Sequence, residues 1–164
     1  MKLSLIEKLI RKNKDVLATC GYGIIVFLLW GIVKTVIWAY DILPTYYPTM
    51  DGESAITYVS IYTTTYSLFY IFSILTGIFS IQEGKKDKKR SLAICILSIP
   101  LAITSILSTG YDLYAQITSR ELDLLYVAFS VFEVIFLYFI IRLIISAFLL
   151  RRYENLIKEG KYER

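Results

Sequence analysis

Three charged side chains, Lys34, Glu133 and Arg142, interrupt long apolar stretches of this 164-residue sequence. A charge at the centre of a bilayer costs about 2.5–3.5 kcal/mol on insertion scales, so each of them calls for a structural or chemical reason. A lysine and a glutamate can pair and orient two helices, whereas a carboxylate that water reaches can bind a proton or a cation. The simpler interpretation of this intramembrane charge cluster is a clamp between helices, and the alternative is a proton or ion site.

The depths of these charges indicate which of them can meet. By the rise of an α-helix, Lys34 lies about 10 Å below the outer end of its apolar stretch, and Glu133 lies about 15 Å below the outer end of another. A lysine stem can bridge that difference, so we predict an ion pair between Lys34 and Glu133. Arg142 falls on the opposite face of the same helix as Glu133, about 13 Å along it, which excludes a pair within that helix. We expect Arg142 to extend towards the cytoplasmic headgroups.

The second apolar stretch is rich in hydroxyl groups between Thr57 and Ser67. Its polar face consists of Thr57, Ser60, Thr64 and Ser67. Its tyrosine ladder includes Tyr62 and Tyr66. Recurrence at three- and four-residue steps places each set on one side of a helix. Serine and threonine in spans commonly hydrogen-bond across helix interfaces, which is one interpretation. The other is a hydrated polar cleft that opens to the outside and ends near Glu133.

Three residues are predicted to shape helix packing. Ser73 and Gly77 are four residues apart, a spacing that suits close contact between helices in a membrane. Pro100 falls inside another apolar stretch, where it removes a backbone donor and is expected to kink the helix. A packing role is the simpler interpretation of Pro100, and a hinge is the alternative.

Four apolar stretches are long enough to cross about 30 Å of hydrocarbon as helices. Hydrophobic residues make up 56% of the sequence and charged residues only 20%, which favours a membrane protein over a soluble domain. We predict an all-α integral membrane protein, a single domain over residues 1–164 with four transmembrane helices in an up-down bundle. The predicted spans are 16–40, 55–82, 91–111 and 124–150, and basic amphipathic segments flank them at 1–15 and 151–164.

The distribution of basic residues predicts the orientation. Of the 18 Lys and Arg residues, all but Lys34, Arg120 and Arg142 lie in the N-terminal segment, in the middle loop at 83–90 or in the C-terminal tail. Loops on the cytoplasmic side carry the excess of Lys and Arg. We therefore predict a multi-pass protein of the plasma (cell) membrane, with both termini and the middle loop in the cytoplasm.

The absence of histidine limits the chemistry. Histidine is the commonest metal ligand and the commonest general base among side chains. Cys20 and Cys95 form no CxxC pair, which argues against a thiol–disulfide enzyme, a zinc site and an iron–sulfur cluster. Since no catalytic motif is present, we expect no catalytic residue, no metal site, no cofactor and no enzymatic activity.

One part of the sequence resembles a known arrangement. The stretch Thr76–Ser80, the basic loop that ends at Arg90 and the stretch Ser91–Ile94 together resemble a helical hairpin found in small prokaryotic membrane proteins. The resemblance implies a bacterial or archaeal plasma membrane and implies no activity.

Two functional hypotheses follow from these patterns. The first is a non-enzymatic accessory, assembly or immunity-type protein that acts through helix–helix contacts with other membrane proteins or in a homo-oligomer. The alternative is a small transporter or channel subunit for an ion, a proton or a solute, which uses the intramembrane charges. The expected surroundings are the lipid bilayer and membrane proteins. We expect no nucleic-acid partner, because orientation already accounts for the basic residues.

Overall fold

Four α-helices make up the fold in a computed structural model that describes residues 3–37, 52–86, 88–119 and 124–160. They are α1 (Leu3–Ile37), α2 (Gly52–Lys86), α3 (Ser91–Ser119) and α4 (Leu124–Lys158). The all-helical prediction is confirmed for these residues. Each helix also contains a stretch that is long and apolar enough to cross a bilayer.

α1, α2 and α4 extend beyond the predicted spans at their basic ends, and α3 extends at its other end, to Ser119 instead of residue 111. α1 begins at Leu3, so the basic segment before residue 16 continues the same helix, and its Ile6 is fully buried. α4 likewise runs through the first part of the basic tail to Lys158. Lys, Arg and Glu are good helix formers, and neither segment contains a proline that would end the helix. The predicted residues 38–40 and 161–164 lie outside the described part of the chain.

Each helix packs against two neighbours, in the order α1, α2, α3, α4 and back to α1. α1 and α2 are antiparallel. In α1 and α2, Gly21 approaches Gly77 whereas Gly31, further along α1, approaches Tyr70, earlier in α2. The core of the four-helix bundle is mainly aliphatic. Its largest fully buried side chains include Leu17, Ile24, Ile94, Leu101, Ile140, Leu143 and Leu150.

Small residues bring α1 and α2 into close contact. A Cβ atom on Gly77 would lie 2.7 Å from Cγ1 of Ile25 and 3.1 Å from the carbonyl oxygen of Gly21. Ser73, one turn earlier on α2, is fully buried. Two of the three residues predicted to shape helix packing, Ser73 and Gly77, therefore lie at a contact inside this chain, which removes them from any surface that a partner protein would meet.

The turn between α2 and α3 is organised by a buried carboxylate. Glu83 is 2% exposed and accepts hydrogen bonds from the backbone N–H of Arg90 and from the hydroxyl of Ser91, the latter at 2.6 Å. A carboxylate in this position satisfies donors at the start of α3 that have no partner within the helix. Further along, α3 continues as a helix through Pro100.

Candidate functional site

A cavity of about 110 Å³ lies between the four helices, near the end of the bundle that contains Lys34. Half of its fourteen lining residues are aromatic, and most of the others are polar. The aromatic lining residues are Phe27, Trp30, Tyr66, Phe69, Tyr70, Phe132 and Phe136, and the others are Gly31, Lys34, Thr65, Thr104, Ser105, Ser108 and Glu133. Since every helix contributes, the cavity depends on the packing of the whole bundle.

Lys34 and Glu133 form an ion pair at this cavity. The Nζ atom of Lys34 donates to Oε1 of Glu133, which joins α1 to α4. The two side chains remain 15% and 16% exposed, so the pair is partly rather than fully buried by the protein. The structure thus brings together the two charges whose depths the sequence matched.

Two hydroxyl groups of α3 complete the surroundings of the carboxylate. Ser108 Oγ donates to Oε1 of Glu133 at 2.8 Å, and Thr109 Oγ1 donates to Oε2 at 3.2 Å. Both carboxylate oxygens are therefore hydrogen-bonded, and α1, α3 and α4 meet at one side chain. Ser108 and Thr109 were not predicted from the sequence. Counted from Asp112, they lie about 5–6 Å deep against about 15 Å for Glu133, so the rise per residue gives no signal that would have found them.

Arg142 lies apart from this group. It is exposed on α4, more than two turns beyond Glu133 towards the C-terminal end of that helix. No contact joins it to Lys34 or Glu133 among the residues that the structure describes. Of the three charges predicted as a cluster, Lys34 and Glu133 therefore form a pair, and Arg142 lies apart from them.

Two members of the tyrosine ladder of α2, Tyr66 and Tyr70, line the cavity, whereas Tyr62, which was predicted to line a cleft, is not among its lining residues. The rings of Tyr62 and Tyr66 are 4.2 Å apart and those of Tyr66 and Tyr70 are 6.2 Å apart, measured between centroids. The hydroxyl of Tyr70 donates to the carbonyl oxygen of Gly31 at 2.8 Å and also pairs with the hydroxyl of Thr35. These bonds fix Tyr70 against α1 and close the cavity on that side.

The predicted polar face of α2 lies elsewhere. Thr57, Ser60, Thr64 and Ser67 are all exposed, and none of them lines the cavity. None of their hydroxyls has a hydrogen-bond partner within the described part of the chain. The cavity is instead lined by Thr65 and Tyr66, which occupy a neighbouring strip of the same helix. The helix is rotated so that its hydroxyl-rich face points away from the bundle.

Trp30 is another lining residue that was not predicted from the sequence. Its ring stacks on Phe132 at 4.1 Å between centroids and meets Phe129 edge-on at 5.8 Å. Its Nε1 atom is buried and has no hydrogen-bond acceptor among the described residues. Trp30 precedes Lys34 by one helical turn, so the shared face of the two residues is a signal available from the sequence.

Metal-binding side chains are not gathered at this site. In the described ranges, no group of three or more His, Cys, Asp or Glu residues lies close enough to hold a metal ion. The free cysteines Cys20 and Cys95 lie on α1 and α3 outside the cavity lining.

Comparison with known proteins gives no relative. No protein-family model matches the chain, and neither a curated protein nor a solved structure matches it.

Proposed function

We propose that this protein is a small, non-enzymatic transporter or channel subunit that accepts an ion, a proton or a solute in the cavity between its four helices. The observation that carries the proposal is the Lys34–Glu133 pair, which borders the cavity and remains 15% and 16% exposed. The proposed setting is the plasma membrane, with both termini and the 83–90 loop in the cytoplasm, as the distribution of basic residues favours.

The geometry favours this function over a simple clamp for two reasons. A clamp requires only a packed pair, whereas this pair borders a cavity with room for a few water molecules. In addition, the carboxylate of Glu133 can exchange one partner for another. When it takes up a proton or a cation, its attraction to Lys34 weakens, and so does the contact between α1 and α4. Occupancy of the cavity is thereby coupled to the packing of two helices.

Proton flux in liposomes tests the proposal. The purified protein is reconstituted with a pH-sensitive dye inside the vesicles, and proton entry is driven by a potassium diffusion potential. We expect entry above that of empty vesicles, and we expect Glu133→Gln to reduce it to their level. Arg142→Gln is the matched control, because it also removes an intramembrane charge but lies outside the cavity.

The same assay is repeated with sodium and potassium gradients and ion-selective dyes. Ion entry that is identical for the protein and Glu133→Gln would contradict an ion-transport function. Wild-type entry at the level of empty vesicles for all three ions would leave only the solute form of the proposal, which a binding measurement addresses.

The exposed hydroxyls of α2 favour a second candidate function. Ser60, Thr64 and Ser67 present hydroxyl groups on the outside of a helix that is apolar enough to span a membrane. Hydroxyls on such a surface can hydrogen-bond to another helix. This observation supports an accessory or assembly protein that associates with a second copy or with another membrane protein.

Purification in mild detergent at native expression, with mass spectrometry, tests this candidate. We expect a stoichiometric partner, or a homo-oligomer, that is lost in Ser60→Leu/Thr64→Leu. The control is Ile61→Ala, which changes an exposed apolar residue of the same segment. A monomer without a partner, unaffected by either change, would exclude the second candidate.

A further inference from the structure

A groove of about 370 Å³ lies on the outer surface of α4, near the C-terminal end of that helix. Its lining residues are Phe148, Arg151, Arg152, Asn155, Leu156 and Glu159. Ala147 and Leu150, on another face of the same helix, are fully buried in the core. Since α4 alone lines the groove, it faces away from the other three helices.

The groove crosses the boundary between the apolar and the basic part of α4. Phe148 is 63% exposed and belongs to the apolar part. Leu149 and Leu150 follow it, and Arg151 and Arg152 begin the basic part. By the rise of a helix, Arg152 lies about 6 Å beyond Phe148. In a bilayer, an exposed phenylalanine at this position contacts acyl chains, while the arginines extend into the layer of headgroups.

The protein does not neutralise the two arginines of the groove. No salt bridge or side-chain hydrogen bond joins Arg151 or Arg152 to another residue in the part of the chain that the structure describes. Lys34, by contrast, is paired with Glu133. A guanidinium group is planar and always charged, and its fork of N–H donors matches the oxygens of a phosphate. The groove therefore offers two guanidinium groups to an anion.

Glu159 does not cancel this positive charge. It is the acidic residue of the lining, and it lies about 10 Å beyond Arg152 along the chain, on the side away from Phe148. Glu159 also has a contact of its own. Asn155, between the arginines and Glu159, is exposed and adds an amide donor to the cationic part of the groove.

We infer that this groove binds the headgroup of an anionic phospholipid. The phosphate accepts hydrogen bonds from Arg151 and Arg152, the amide of Asn155 donates to a further headgroup oxygen, and an acyl chain packs along Phe148. A soluble phosphate compound has no chain to cover Phe148, so the groove favours a lipid. A choline headgroup would place its ammonium group beside two guanidinium groups, and this repulsion favours an anionic headgroup.

The lipid site goes beyond the proposed transport function and does not depend on it. Arg152 lies about 28 Å from Glu133 along α4, so the groove and the cavity between the helices are separate places in the bundle.

Native mass spectrometry of the purified protein tests the inference. The protein is titrated in a nonionic detergent with phosphatidylglycerol and, separately, with phosphatidylcholine of the same acyl chains. We expect a saturable complex with one phosphatidylglycerol molecule and affinity for phosphatidylcholine that is at least about fivefold weaker. Equal affinity for the two lipids would overturn the inference.

Matched variants separate the groove from the other basic residues at this end of the bundle. Arg151→Gln/Arg152→Gln is expected to weaken phosphatidylglycerol binding by about 25-fold, at about fivefold for each cation. Lys88→Gln/Lys89→Gln removes the same number of exposed charges between α2 and α3 and is expected to have little effect. Equal losses in the two double variants would show a general attraction to basic residues and would overturn the site. Arg152→Gln alone, with a loss of about fivefold, tests the site if the double variant does not fold.

Two further measurements identify the source of the phosphate. Phe148→Ser is expected to weaken phosphatidylglycerol binding, and unchanged affinity would overturn the contact with the acyl chain. Glycerol 3-phosphate at the concentration of the lipid is expected to leave the lipid bound, because it has no acyl chain. Displacement of the lipid would assign the groove to a soluble phosphate compound and overturn the inference. Glu133→Gln is expected to retain the lipid affinity, which keeps a failure of the lipid site distinguishable from a failure of transport.

Discussion

At the scale of single residues, the Lys34–Glu133 pair is the interaction whose disruption has the largest expected cost. Lys34→Met leaves the carboxylate of Glu133 with only the hydroxyls of Ser108 and Thr109. Removing one partner of a buried pair costs about 3–5 kcal/mol, and we expect the lower end because both side chains keep some exposure. The free energy of unfolding in mixed SDS micelles measures the loss.

The double variant Lys34→Met/Glu133→Leu provides the control for that prediction. It replaces both charges by apolar side chains of similar size, so most of the lost stability is expected to return. If the double variant loses as much unfolding free energy as Lys34→Met and Glu133→Leu lose together, the two side chains contribute independently.

Glu83 gives a second prediction at this scale. Glu83→Ala removes the acceptor of the Arg90 N–H and of the Ser91 hydroxyl at the start of α3. Loss of a comparable helix cap costs about 0.5–2 kcal/mol, and the same denaturation assay is expected to show a loss in this range. Glu7→Ala, at an exposed position of α1, is expected to change the stability little. Equal effects of the two substitutions would contradict the capping role.

At the scale of helices, the contact between α1 and α2 depends on glycines that have no room for a side chain. A Cβ atom on Gly84 would lie 2.5 Å from the carbonyl oxygen of Lys14 and 2.8 Å from Cβ of Ala18. We expect Gly84→Ala to separate the helices and to destabilise the protein by about 1–3 kcal/mol. Gly110, on α3, has open space around it, and Gly110→Ala is expected to add up to about 1 kcal/mol. Thermal unfolding of the two variants should therefore shift in opposite directions.

The sequence predicts the existence of the helices better than their rotation. Charged residues bracket the four apolar stretches, and the fixed rise per residue places Lys34 and Glu133 at matching depths. The rotation of each helix about its own axis could not be predicted in this way. Lipid is as apolar as leucine, so the face of a helix that points into the bundle needs no special hydrophobicity. For this reason, the periodicity of Thr57, Ser60 and Thr64 identified a face without indicating whether it points to the bundle or away from it. The cavity residue Thr65 stands next to that face.

The residues of α3 that contact Glu133 likewise could not be predicted from the pattern of one helix. Ser108 and Thr109 join Glu133 because α3 lies beside α4, and the order of neighbours around the bundle does not follow from the spans alone. The sequence predicts Glu83 to lie in a basic cytoplasmic loop, because its charge does not indicate that it turns inward to Ser91. Burial of that carboxylate is set by the tight turn, which only the assembled α2 and α3 create.

At the scale of the whole molecule, the proposed orientation is testable with single cysteines. Cys20→Ala/Cys95→Ala provides a background without native thiols. A cysteine at Lys88, in the exposed loop between α2 and α3, is expected to react with a membrane-impermeant maleimide only after the cells are opened. A cysteine at Ser54, at the other end of α2, is expected to react in intact cells. The reverse pattern would contradict the orientation.

The ion pair between α1 and α4 also has a consequence for synthesis. Lys34 and Glu133 are separated by 99 positions, so α1 is synthesised long before its counter-ion Glu133. Since synthesis proceeds at about 5–20 residues per second, Lys34 is in the membrane or in the translocon for about 5–20 s before Glu133 is synthesised. A chain that terminates after α3 never receives that partner and retains an uncompensated charge. Lys34 therefore distinguishes a finished chain from an unfinished one, and we expect truncated products to be removed by membrane proteases while the full-length protein accumulates.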